Sequence, residues 1–150
     1  MSFLSIQNIS KSVQNSNKER IILNNISFSS NLKQFILING RSGSGKTTLL
    51  NLVAGLNKLD SGSILINNQD IYKLSIDNLC AFRLRNIGIV YQSFNFLPGL
   101  SLYENCIIPS LMLGIHKEIF NKRISNLSKN LNVHDLMNKL PSQVSGGELQ

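Results

Sequence analysis

The sequence predicts a mixed α/β fold, and three observations carry that expectation. An unbroken apolar run, Phe35-Ile36-Leu37-Ile38, leads into a Gly/Ser-rich turn and then a helical pattern. Short Ile-rich segments of strand character fill much of the first half of the chain, and helical patterns dominate the second. No internal repeat or low-complexity linker divides the two.

Phe3–Ile9 and Ile21–Ser29 alternate in part, as half-buried strands do, and the polar stretch Ser10–Arg20 between them reads as an exposed loop. Phe35–Ile38 is apolar at every position, the mark of a strand covered on both faces in a parallel sheet. Thr47–Gly55 reads as a helix, with Leu49, Leu50, Leu52 and Val53 on its buried side. Asp60-Ser61-Gly62 is a turn and Ile64–Ile66 a strand. Asn67-Asn68 suits a tight hairpin because Asn tolerates positive φ. Asp77–Arg85 predicts a short helix and Ile87–Val90 a further strand. From Ser101 to Asn138 the pattern is mostly helical, with breaks expected near Pro109, Gly114 and Asn132.

At 150 residues the chain has the size of one domain, and 42% apolar with 15% charged residues is ordinary for a globular protein. The net charge of +7 admits an anionic partner, a nucleic acid or a membrane face. The basic residues are dispersed, however, and no window interleaves them with aromatics, so no nucleic acid is expected. Cys80 and Cys106 lie far apart without CxxC or metal spacing, which argues against a disulfide framework or a zinc site. The first residues lack the basic and apolar regions of a signal peptide. The longest uncharged stretch, Asn86–Tyr103, carries Gln92, Asn95, Pro98 and Gly99 and is too polar to span a membrane. Any membrane contact is expected through partners.

Gly40-Arg41-Ser42-Gly43-Ser44-Gly45-Lys46-Thr47 matches the GxxxxGK[ST] pattern in the strand–loop–helix context it requires. Its glycines let backbone N–H groups converge on phosphate oxygens, and the helix beginning near Lys46 turns its positive end to the same anion. Lys46 is expected to place its charge on the β- and γ-phosphates, and the Thr47 hydroxyl to ligate Mg²⁺. The pattern points to a nucleoside triphosphate without fixing an enzyme class.

Two further segments stand out. Gln92 follows the apolar run Ile87–Tyr91, where an amide can reach both a Mg²⁺ shell and an attacking water; alone, it reads more readily as a capping or surface glutamine. Val144-Ser145-Gly146-Gly147-Glu148 places two bare glycines at a helix start, which suits an anion and is also ordinary turn chemistry.

Together and in this order, these residues resemble the ABC ATPase family: Gly40–Thr47 as its Walker A, Gln92 as its Q-loop and 144–148 as its signature. The resemblance implies a P-loop NTPase fold of that type across residues 1–150, a RecA-like core with antiparallel β and helical subdomains. It implies ATP and Mg²⁺ as ligands, with Thr48 joining the loop and Thr47 and Gln92 on the metal. It implies a homodimer in which Ser145, Gly146, Gly147 and Glu148 bind the ATP of the partner subunit. Two integral-membrane permease subunits are implied as well, with a peripheral place on the cytoplasmic side of the bacterial inner membrane. Phe94–Pro98, Asn105–Gly114 and Pro141-Ser142-Gln143 look like the lipoprotein-releasing ATPases of Gram-negative bacteria, with macrolide-export and cell-division subunits as near relatives. Phe94, Phe96 and Leu97 suit either a contact to the permeases or the subunit's own core.

The chain departs from the family pattern at two places. Val13 stands where an aromatic would stack on adenine. None of the eight acidic residues follows an apolar strand, so no Walker B motif is found, and His116 and His134 precede the signature, where no switch histidine belongs. The expectation is therefore an N-terminal portion with the C-terminal part of the core and the catalytic Glu missing. Its leading function is ATP-driven export. The alternatives are a remnant that does not hydrolyse ATP and a soluble nucleic-acid-associated ABC protein.

Overall fold

A computed structural model describes residues 2–15, 18–91 and 95–149. The chain forms two compact units, one up to Ile87 and one from Gly88 onward. In the first, strands β1 (Leu4–Asn15), β2 (Lys18–Ser30), β3 (Ser61–Ile66) and β4 (Gln69–Asp70) make one antiparallel sheet in the order β2-β1-β3-β4. Helices α1 (Lys46–Val53) and α2 (Ile76–Asn86) belong to the same unit. Leu49 and Leu52 of α1 are buried in one cluster with Ile6, Ile9, Leu23, Ile64, Ile66 and Ile71. Each such side chain contributes about 1.5–3 kcal/mol by leaving water, so apolar burial is the main force holding the helix to the sheet.

Two asparagine bulges shape that sheet, and a third register shift between β1 and β2 falls between Lys11 and Ser12. Between Ile6 and Ile9, β1 holds one residue more than β2; between Leu23 and Ile26, β2 holds one more than β1. The extra residues include Asn8 (φ 50) and Asn25 (φ 51), and Asn enters the left-handed region at low cost. A bulge frees a backbone N–H from the ladder, and a serine on the opposite strand takes each one here. Asn8 N–H donates to Ser27 Oγ at 2.8 Å and Asn25 N–H to Ser10 Oγ at 3.0 Å. The strands thus bend while Ile6, Ile9 and Leu23 all remain in the core. Asn67 and Asn68 take positive φ in the β3–β4 hairpin, as their residue type predicts.

The second unit carries α3 (Leu102–Met112), α4 (Lys117–Asn130) and the single turn α5 (Gly146–Leu149). A reciprocal Ser101–Glu104 capping box starts α3. Two further N–H groups of its first turn, on Leu102 and Tyr103, donate to the carbonyls of Lys139 and Met137. Tyr103 then meets Phe120 of α4 edge to face at 5.6 Å, and its hydroxyl donates to Asn121 Oδ1 at 2.7 Å. Both helices stop as their residues predict: Gly114 (φ 68) and Asn132 (φ 58) take the left-handed turn, with Ile115 N–H reaching Ser110 O and Val133 N–H reaching Ser128 O.

Four expectations are corrected. Ser10–Asn15 and Lys18–Arg20 are paired strand rather than loop, with Val13 opposite Arg20 and Gln14 opposite Glu19. Phe35–Ile38 and Ile87–Val90 join no strand ladder among the described residues, and Phe35 and Leu37 are 91% and 77% exposed rather than covered. Leu50 is exposed, since only Leu49 and Leu52 of α1 point fully into the core. Helix α3 passes through Pro109, forgoing one bond to the carbonyl four residues back while its capped start and packed flank hold it.

Gly62 (φ 89) marks where β3 crosses the first bulge: a Cβ there would stand 2.4 Å from the carbonyl oxygen of Gln7 and 2.6 Å from that of Asn8. Gly62→Ala is expected to destabilise the first unit by roughly 2 kcal/mol or more, since it combines backbone strain with a collision against backbone. Denaturant unfolding of the variant beside wild type checks this, and an unchanged midpoint would count against the crossing geometry.

Candidate nucleotide-binding site

The loop Gly40–Gly45 delivers the chain to the N-terminus of α1. Gly45 is the N-cap residue at φ 94, and a Cβ on it would lie 3.0 Å from Leu23 Cδ2 and 3.1 Å from the Ile22 carbonyl oxygen. Only glycine satisfies both the positive φ and the close approach to β2. Gly43 (φ 76) faces open space, so its need is conformational alone. At Gly40 a Cβ would come within 2.8 Å of Ser44 Oγ, which keeps the loop tight.

The electrostatics favour an anion. Helices α2 and α3 are capped by Ser75 and Ser101 and carry an acidic residue in the first turn; α1 has no side-chain cap and no acidic residue there. Its first N–H groups are left to face an anion, with the helix dipole adding to the attraction. Lys46 Nζ donates to the Gly40 and Arg41 carbonyls, both at 2.8 Å, so its charge is held over the loop. Thr47 is exposed and Thr48 half-buried beside it. Arg41, Ser42 and Ser44 are exposed along the rim.

The other end of α1 is fixed as firmly. The Tyr72 hydroxyl lies 2.8 Å from the Leu52 carbonyl and 2.9 Å from that of Asn57, and the Arg83 guanidinium donates to the Gly55 carbonyl at 2.9 Å. A cation at a helix C-terminus complements its dipole. Burial pushes the Tyr72 phenol up to about 12. Past α1, Asp60 accepts from the Ser12 N–H at 2.7 Å, from the Ser12 hydroxyl and from Lys11 Nζ. This carboxylate ties the hairpin arm to the segment that follows α1, immediately before Val13, which is 41% exposed. Sequence reading passed over Asp60, Tyr72 and Arg83, whose partners lie 15 to 49 positions away and leave no local signal.

The remaining expected residues lie in the second unit. Ser145 donates to Glu148 Oε2 through its N–H at 2.7 Å and its hydroxyl at 2.6 Å, and these bonds hold the Glu148 carboxyl below its ordinary range. Gly146 and Gly147 are exposed, and a Cβ on Gly147 would meet nothing. Gln92 and Phe94 lie outside the described residues. Asn105 pins the segment after them, its side chain bonded to both the N–H and the carbonyl of Leu97 and to the Leu100 and Ser101 carbonyls. Among the described residues no cluster of His, Cys, Asp or Glu could hold a metal, and no helix is long and apolar enough to cross a membrane.

Comparison with known proteins decides the lineage: the ABC transporter family profile matches residues 23–150. The chain belongs to the ABC transporter family. This ABC chain is 31% identical over 150 residues to the bacitracin export ATP-binding protein BceA of Halalkalibacterium halodurans, covering 100% of itself and 59% of that relative. It is 36% identical over 143 residues to the lipoprotein-releasing system ATP-binding protein LolD of Buchnera aphidicola, covering 95% of itself and 63% of LolD. Its fold matches the dimeric ATP-binding cassette MJ0796, solved with ADP and Pi, at a TM-score of 0.90 and 30% identity over 97% of this chain and 65% of that one. The chain thus spans less than two thirds of these relatives. The α/β fold of the ABC ATPases is the architecture seen here.

Asp60 gives a pH signature. Hydrogen bonds from Lys11 and the Ser12 amide hold its carboxyl below the usual range. With the folded value depressed, this anchor is complete above the ordinary carboxylate pKa of about 3.9 and is lost as pH falls through the lowered value. In an acid titration followed by NMR, the Ser12 amide is expected to shift with a midpoint below about 3.9. Asp60→Asn is expected to abolish that transition; an ordinary midpoint in wild type would refute the anchor.

Proposed function

We propose that this chain supplies the ATP- and Mg²⁺-binding portion of a transport ATPase. The observation that carries the reading is the uncapped, acid-free N-terminus of α1 behind Gly45, with the Lys46 charge already held over the loop. In this reading the backbone N–H groups of 43–48 donate to phosphate oxygens, and Lys46 exchanges the Gly40 and Arg41 carbonyls for the β- and γ-phosphates. Thr47 presents its hydroxyl to Mg²⁺, and Gln92 orients a water beside the same ion. Val13 flanks the base. Ser145–Glu148 of one copy close on the nucleotide held by a second, so ATP binding draws two copies together. Bound ATP supplies the free energy of phosphoanhydride cleavage, which the protein as a whole passes to two membrane permease subunits at the cytoplasmic face of the inner membrane.

For cargo we propose lipoprotein release, on the 36% identity with LolD. Bacitracin export stands in the name of a relative of similar identity, so cargo has its own test. With the full-length protein and its permeases in vesicles, a lipoprotein is expected to stimulate ATP hydrolysis and bacitracin to leave it unchanged. The reverse pattern would move the chain to the peptide-export branch.

The nucleotide reading is tested by calorimetric titration with MgATP. Lys46→Ala removes a charge-assisted contact and is expected to weaken binding about 10- to 100-fold. Binding equal to wild type would remove the assignment.

A further inference from the structure

His134 takes no part in the nucleotide chemistry, yet it lies on a groove that the second unit builds by itself. One wall is a stripe along α4, where Lys117, Asn121, Ser125 and Ser128 follow at helical spacing and share a face. From Lys117 to Ser128 the stripe runs about 16 Å at roughly 1.5 Å per residue. The facing wall is Met137-Asn138, held in place by the Tyr103 N–H, which donates to the Met137 carbonyl at 2.8 Å. The cavity between them has a volume of about 460 Å³, within the range of small-ligand sites.

The polar groups of this groove are set for a ligand rather than for one another. Ser128 is buried, and its hydroxyl donates to the Ser125 carbonyl at 3.2 Å. With that proton spent, the 2.9 Å contact from Ser128 Oγ to His134 Nδ1 needs a ring N–H, which leaves His134 Nε2 as a free acceptor. Tyr103 donates its hydroxyl to Asn121 Oδ1, so the Asn121 NH₂ keeps both its donors for the groove. Among the described residues, the Lys117 and Asn138 side chains have no hydrogen bond or ion pair, and no carboxylate lines the cavity. One end of the stripe thus offers a cation on a flexible stem and the other an acceptor, with amides along the walls. An extended tripeptide is about 10 Å long at roughly 3.3 Å per residue, and the Lys117 stem can reach inward to close the difference. We propose that this groove binds a short free peptide. Its C-terminal carboxylate sits on Lys117 and the Asn121 NH₂, its N-terminal ammonium donates to His134 Nε2, and Asn138 meets its backbone amides.

The probe is trialanine, titrated into the full-length protein and followed by the side-chain amide NMR signals of Asn121 and Asn138. Saturable shifts are expected, and trialanine amide, which lacks the carboxylate, is expected to bind about tenfold more weakly. Lys117→Met is expected to weaken trialanine by the same factor and to leave trialanine amide unchanged, while Lys117→Arg restores the difference. Lys117 and His134 are exposed, so these replacements leave the fold intact. His134→Phe, which keeps a ring without the acceptor, is expected to weaken both peptides alike. Absence of saturable shifts in wild type, equal affinity for the two peptides, or trialanine binding unaffected by Lys117→Met or by His134→Phe would each overturn the proposal.

Discussion

The first unit depends on one close approach, that of Gly45 at the start of α1 to β2. The helix can bury Leu49 and Leu52 in the sheet only if its N-terminal end comes to van der Waals distance from Leu23 and Ile22, and that distance leaves no room for a side chain. The same contact aims the free N–H groups of the helix along the loop. Packing and anion chemistry are therefore set by a single constraint, so a change that loosens one loosens the other. Tyr72 and Arg83 at the far end complete the arrangement by satisfying carbonyls that would otherwise pull the helix toward water.

The sheet that receives the helix is shaped by exchanges between asparagine and serine. Each of the two asparagine bulges would cost a ladder hydrogen bond, and each of these two is compensated by a hydroxyl from across the pair. This gives the arm its bend without breaking the run of isoleucines into the core. It also explains why the N-terminal segment tolerates so many polar residues while remaining a strand.

Much of the local structure at the candidate site was legible because its signals are local. The phosphate loop, its helix, the Asn67-Asn68 turn and the stops at Gly114 and Asn132 all follow from residues adjacent in sequence. Alternation failed for Ser10–Arg20, since cross-strand pairing overrode a polar composition in an arm with little burial to mark its inner face. Periodicity could not separate an extended apolar segment from a strand in Phe35–Ile38, because ladder partners are a property of the whole sheet. Asp60 was silent for a related reason: an aspartate after a helix looks like any turn residue until the strand it holds is in place.

Phe35 and Leu37 carry a consequence for the handling of residues 1–150 by themselves. Extended backbone outside any ladder keeps its N–H and C=O groups available, and two large apolar side chains beside them make that backbone adhesive. Net charge of +7 repels copies at long range but is screened within about 10 Å at moderate salt, so it guards this segment poorly once two molecules meet. Solubility of residues 1–150 by themselves should thus fall as ionic strength rises, governed by a few residues just ahead of the phosphate loop in sequence rather than by average composition.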